Sequence, residues 1–103
     1  MREIRPVRFD YVVCYDVSTV LIDGEARLRK IAKVCEGFGT RVQDSVFECR
    51  LTAARLERLK EKMRATLDLR VDSFRIYRLT GPRDEVVEAY GVDRSQLDKP
   101  LVF

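Results

Sequence analysis

The chain has 103 residues, of which 46% are hydrophobic and 36% charged, with only 5 Gly and 3 Pro; these values exclude disorder, collagen-like repeats and low-complexity linkers, and the length allows one domain with one core and no deep enclosed active site beside it. There is no histidine, so His-dependent triads, His-ligated zinc and imidazole acid–base steps are excluded, which leaves carboxylate, Lys/Arg, Ser/Thr, Tyr and Cys chemistry or a bound metal. The net charge is +3, and residues 1–64 carry 14 Lys/Arg against 10 Asp/Glu whereas residues 65–103 carry 6 against 7, a bias compatible with a nucleic-acid partner, although charge alone favours an ordinary solvated surface.

Val7 to Tyr15 reads as a first strand. Val7, Phe9, Tyr11, Val13 and Tyr15 alternate on one face, while the other face starts polar at Arg8 and Asp10 and turns apolar at Val12 and Cys14. A strand that becomes apolar on both faces is entering the middle of a sheet. Asp16 follows at once, which puts a carboxylate at the C-terminal end of a buried strand. There it is costly unless paired, hydrogen-bonded or bound to a metal.

Val17 to Ile22 is a loop, and Asp23 is placed to cap a helix running to about Phe38, where Gly37 and Gly39 supply the stop. Leu28, Ile31, Ala32, Cys35 and Phe38 form its apolar stripe, and Arg27, Arg29, Lys30 and Lys33 crowd the rest of its surface. Thr40 to Leu51 is strand-like with a break in phase: Val42 is apolar at an even position, and Phe47, Cys49 and Leu51 at odd ones. Side-chain period is two in a regular strand, so the parity change predicts a turn or bulge near Gln43-Asp44-Ser45 and two short strands.

Thr52 caps a second helix to about Thr66, with Leu56, Leu59, Met63 and Leu67 at helical spacing. Val71 to Leu79 is a further strand, ended by Gly81-Pro82. The order β-α-β-β-α-β predicts an α+β, ferredoxin-like antiparallel sheet with two helices on one face, formed by residues 1–80. Residues 81–103 read as a C-terminal extension, with a short strand over Val86 to Tyr90, a polar stretch from Asp93 to Lys99, and an apolar end at Pro100-Leu101-Val102-Phe103. An apolar terminus needs something to hold it, and exchange of this strand across a homodimer is the expectation, against packing on its own domain.

Cys14, Cys35 and Cys49 are an odd set without C-x-x-C spacing, each among apolar residues, as buried reduced thiols are. No apolar run approaches the ~20 residues of a membrane span, and the charged start lacks the apolar stretch of a signal peptide. The expectation is a cytoplasmic protein with no membrane partner.

The segments Tyr11-Val12-Val13-Cys14-Tyr15-Asp16-Val17, Arg41-Val42-Gln43-Asp44-Ser45-Val46-Phe47-Glu48-Cys49 and Ser73-Phe74-Arg75-Ile76-Tyr77-Arg78-Leu79, in this order, resemble the small CRISPR-associated endonuclease family, the second of the two core CRISPR adaptation proteins. The resemblance covers nearly the whole chain. It implies a ferredoxin-like homodimer that binds duplex DNA with the CRISPR integrase during spacer acquisition. It also implies, for many members, metal-dependent endonuclease cleavage of RNA or DNA. The family's strand-end aspartate is matched by Asp16, with Tyr15 before it, and its central arginine and phenylalanine by Arg41 and Phe47. Its basic residues at the opening of the first helix correspond to Arg27, Arg29 and Lys30, across a loop, Ser18 to Asp23, that is longer and more apolar than in some relatives.

On its own chemistry, Asp16 is a thin ligand for Mg2+ or another divalent cation such as Mn2+, which takes one or two carboxylates and keeps several waters. A two-fold axis bringing Asp16 from each subunit together would complete it. The alternative is a structural aspartate that caps its loop or pairs with an arginine. Tyr15 and Phe47 are by default sheet and core residues, and Ser45 a turn residue. Arg27, Arg29, Lys30 and Arg41 form a candidate phosphate track for duplex DNA or single-stranded RNA, against a solvated helix face. Besides the nuclease, a non-catalytic dimeric DNA-binding adaptor of the integrase complex and a toxin-like ribonuclease of the same fold stand as alternatives.

Overall fold

A computed structural model describes residues 6–92. Four strands form one antiparallel sheet: β1 (Arg8–Asp16), β2 (Thr40–Gln43), β3 (Val46–Thr52) and β4 (Ser73–Arg78), ordered β2-β3-β1-β4. Helices α1 (Gly24–Glu36) and α2 (Ala53–Thr66) connect them, and a single helical turn, α3 (Arg83–Val86), follows β4. This is the expected β-α-β-β-α-β arrangement.

The odd positions of the two central strands make the floor of the core. Tyr11, Val13 and Tyr15 of β1 and Phe47, Cys49 and Leu51 of β3 pack against Ile31 and Cys35 of α1, Phe38 just beyond it, and Leu59 and Met63 of α2. The register pairs Tyr11 with Cys49 and Val13 with Phe47, so these side chains leave the sheet together on the side that carries α1 and α2. Even positions of β1, among them Val12, Cys14 and Asp16, face the helix-free side.

The parity break in the middle of the chain has two physical sources. The β2–β3 pairing slips between Arg41 and Gln43, leaving Val42 as a bulge, and Asp44-Ser45 make the turn. Thr52 caps α2 as expected, its hydroxyl accepting from the Arg55 N–H at 3.2 Å. Asp23 occupies the cap position of α1 but makes no side-chain cap bond; its carboxylate pairs instead with Arg27 one turn on, at 3.1 Å.

The expected short strand over Val86 to Tyr90 does not form. Arg83–Val86 is helical, and residues 87–90 form no strand. Pro82 ahead of Asp84 and Glu85 gives a helix-opening sequence with acidic residues at the positive end of the turn. This turn is pinned to the helix-free face, where the Arg83 N–H donates to Asp10 Oδ2 at 2.8 Å and Arg83 Nε to Glu48 Oε1 at 2.6 Å. The polar stretch from Asp93 and the apolar end at Pro100–Phe103, on which the strand-exchange expectation falls, lie outside the described residues.

Candidate active site

The C-terminal end of β1, the β2–β3 turn and the outer side of α1 enclose a groove of about 430 Å³, lined among others by Asp16, Arg29, Arg41, Asp44 and Ser45. Its position follows from the topology. β1 is central and antiparallel to β3, so the end of β1 meets the turn that begins β3, and the Tyr15 N–H donates to the Ser45 carbonyl at 3.1 Å. The Tyr15 hydroxyl donates to the Asp44 carbonyl at 3.3 Å, fastening the turn from below.

Asp16 stands exposed at the rim, where the groove meets the helix-free face. Among the described residues its carboxylate has no ion pair and no side-chain hydrogen bond. Of the two sequence readings, local neutralisation by an arginine is therefore not what the fold provides. The desolvation cost expected of a buried strand end is absent too, because the chain ends its strand at the surface.

Arg41 and Arg29 are the cations that share the groove with Asp16. The Arg41 guanidinium lies 5.2 Å from the centroid of the Phe47 ring and reaches Glu36 at 3.4 Å, and its buried Nε has no partner among the described residues. The guanidinium is stacked and partly exposed, and its planar fork matches a phosphate. Arg29 is exposed on α1.

The other residues singled out by sequence lie elsewhere. Phe47 is fully buried, 6.1 Å from the Tyr15 ring centroid, and acts as the platform beneath Arg41. Tyr15 is 6% exposed, and burial pushes its phenol above the ordinary value of 10.0 while Arg41 pulls the other way. It therefore stays protonated near neutral pH, as a donor. Lys30 is exposed in a separate depression, with Ala65 and Thr66 at the end of α2.

Arg27 departs furthest from its expected place on a phosphate track. It is buried, and Nε and Nη2 donate to Asp72 at 2.6 and 3.2 Å while Nη2 also donates to the Ser18 carbonyl at 3.2 Å. Two residues apart on a helix point to opposite sides, so Arg27 and Arg29 could not both face one groove. Asp72 had no signal in the sequence beyond being one more acidic residue at the start of a strand. Its carboxylate also accepts the Ser18 and Asp68 N–H groups at 3.0 and 2.9 Å, and the Arg27 guanidinium beside it holds it below its ordinary value.

Among the described residues no group of three or more Cys, Asp or Glu side chains could hold a metal ion. Asp16 and Asp44 are the carboxylate residues that line the groove. No helix of the described residues is long and apolar enough to cross a membrane.

Comparison with known proteins gives a consistent result. The family model described as CRISPR associated protein Cas2 matches residues 10–86. The chain is 47% identical over 93 residues to a Moorella thermoacetica protein named CRISPR-associated endoribonuclease Cas2 1, covering 89% of this chain and 97% of that one. It is 43% identical over 93 residues to the CRISPR-associated endonuclease Cas2 of Halalkalibacterium halodurans, with the same coverage. Among solved structures, Streptococcus pyogenes Cas2 at pH 6.5 superposes with a TM-score of 0.71 at 40% identity, over 80% of this chain and 99% of that one.

Proposed function

The chain belongs to the Cas2 family of CRISPR-associated proteins, and on that premise we propose that it is a metal-dependent endonuclease that cleaves phosphodiester bonds in RNA or DNA and works in CRISPR adaptation as a homodimer, beside the CRISPR integrase, on duplex DNA. The observation that carries the reading is the exposed, unpaired Asp16 carboxylate set beside Arg29 and Arg41 in one groove.

The geometry supports a role for each of these residues. Asp16 would hold a divalent cation such as Mg2+ or Mn2+, with Asp16 of a second copy as the second carboxylate. When bound there, such an ion would supply a water of lowered pKa and polarisation of the phosphate. Arg41 binds a phosphate oxygen through the exposed part of its guanidinium, and Arg29 neutralises the neighbouring phosphate. Tyr15 and Phe47 contribute from beneath, the first by fixing the Asp44 carbonyl and the second by orienting Arg41. Backbone contacts of this kind bind without sequence preference and weaken steeply with salt.

The test compares wild type with Asp16→Asn on labelled RNA and duplex DNA, with and without chelator. Cleavage that needs both Asp16 and a divalent ion supports the reading; equal cleavage by both proteins overturns it. A second reading, a DNA-binding adaptor without catalysis, draws on the thin donor set of one chain. Duplex binding that persists in a wild type unable to cleave would favour it.

A further inference from the structure

We infer that Asp72, Arg27 and Gly24 form a clamp on the Ser18–Thr19 backbone that fixes the direction in which the chain leaves Asp16, and that the three are positioning residues for that carboxylate. The catalytic part of the inference rests on the nuclease reading above; the structural part does not.

Three separate contacts converge on two residues of backbone. The Ser18 N–H donates to Asp72 Oδ1 at 3.0 Å. The Ser18 carbonyl accepts from Arg27 Nη2 at 3.2 Å. The same peptide segment lies against the first residue of α1 so closely that a Cβ on Gly24 would overlap the Ser18 carbonyl oxygen and come within 2.7 Å of Thr19 Cα. Donor, acceptor and steric faces of one turn are thus all engaged.

The clamp is itself held rigidly. The Asp72 side chain has no solvent exposure and accepts from Arg27, Ser18 and Asp68 together. Asp72 precedes Ser73, the register partner of Asp16 in the β1–β4 pairing. Asp16 is therefore bracketed, by Ser73 across the sheet and by Ser18 two residues on, and both brackets are tied to Asp72. The loop that follows carries Val20 and Ile22 fully in solvent, so the one apolar anchor beside Asp16 among the described residues is Val17, partly buried against the core. Without the clamp, a loop of this length would let the strand end fray, and the Asp16 carboxylate would sweep across the groove rather than stand at its rim.

The test uses Asp72→Asn, which keeps the shape and removes the charge; Gly24→Ala, which leaves every charge in place; and Arg27→Lys, which keeps the positive charge and loses the fork. Backbone 15N relaxation reads the clamp directly. Order parameters at Val17, Ser18 and Thr19 near 0.85 in wild type are expected to drop below about 0.6 in Asp72→Asn and Gly24→Ala while the sheet stays rigid. Unchanged order parameters in both folded variants overturn the inference whatever the protein cleaves.

Kinetics then read the consequence. Each variant is expected to lose roughly 10- to 100-fold in kcat with KM and duplex affinity within about twofold of wild type. If Arg27→Gln, which removes the charge, instead lowers the salt dependence of duplex binding, Arg27 contacts phosphate and the positioning role is overturned. A wild type without Asp16-dependent cleavage, but with the order-parameter change intact, removes the nuclease reading and leaves the clamp standing.

Discussion

Phe47 separates a packing role from a chemical one. The side chain is fully buried at the centre of the core, with the Tyr15 ring 6.1 Å away and the Arg41 guanidinium 5.2 Å above its face. Phe47→Ala removes the ring and leaves a cavity between β1, β3 and the helices, a change that costs about 3–5 kcal/mol. Domains of this size have total stabilities of about 5–15 kcal/mol, so the variant is expected to be marginal or unfolded. Phe47→Leu is the informative partner. It keeps an apolar side chain but loses the ring–ring contact, about 0.5–1.5 kcal/mol, and the face under Arg41, about 0.5–1 kcal/mol. A loss of about 1–2.5 kcal/mol lowers the melting temperature by roughly 4–20 °C for a domain of this length. Urea and thermal unfolding followed by far-UV circular dichroism measure it, alongside cleavage at a temperature where the variant is folded. Leucine at this position should retain most cleavage, reduced only as far as Arg41 loses its orientation. A variant with wild-type stability and abolished cleavage would refute the assignment and make the ring part of the chemistry.

Asp16→Asn should leave thermal stability within about 0.5 kcal/mol of wild type, because the carboxylate is exposed and unpaired; a larger change in the urea midpoint would reveal a structural partner. Asp68, held down to about 2 by Arg70, and Asp72, held below 3.8 by Arg27, have folded values below their unfolded ones, so their stabilisation is complete above about pH 4 and lost as pH falls towards 2. A urea midpoint that stays flat between pH 4 and pH 2 would contradict this. Burial raises the Cys35 thiol to about 12 and the Cys49 thiol to about 11, so both stay protonated when the unfolded thiols, at 9.0, begin to ionise. Stability is therefore full below pH 9 and declines above it, and iodoacetamide at pH 8 should modify half-buried Cys14 before either of the others, as read by mass spectrometry of the native protein. Replacing Arg29 or Arg41 by Ala should each reduce the salt slope of duplex binding by about one, measured by titration at several salt concentrations; an unchanged slope would remove that residue from the phosphate contacts.

Much of the architecture was legible because it rests on period. The alternation of Tyr11, Val13 and Tyr15 gave the buried face of β1. The switch from Val42 to Phe47, Cys49 and Leu51 located the bulge and turn to within a few residues. The groove was legible in part: Asp16, Arg29 and Arg41 do share it. Arg27 was misplaced because a cation among cations on a helix reads as solvated. Its burial depends on Asp72, 45 residues away, and no local pattern reports a pairing over that distance. Gly24 was passed over for a similar reason, since its need for a bare Cα arises from the packing of the Ser18 carbonyl. The helical turn at Arg83–Val86 was missed because valine-rich stretches favour a strand only where an edge is offered, whereas Arg83 is captured by Asp10 and Glu48 on a different strand each.

The location of Asp16, on the seam between the layer that carries α1 and α2 and the opposite side of the sheet, has a thermodynamic corollary. Any body that lies down over that opposite side also strips water from the carboxylate, and the penalty for doing so falls when a cation is already seated there. Docking and ion uptake would then reinforce each other by mass action. Adding divalent salt should drive association, and dilution should weaken the hold on the ion.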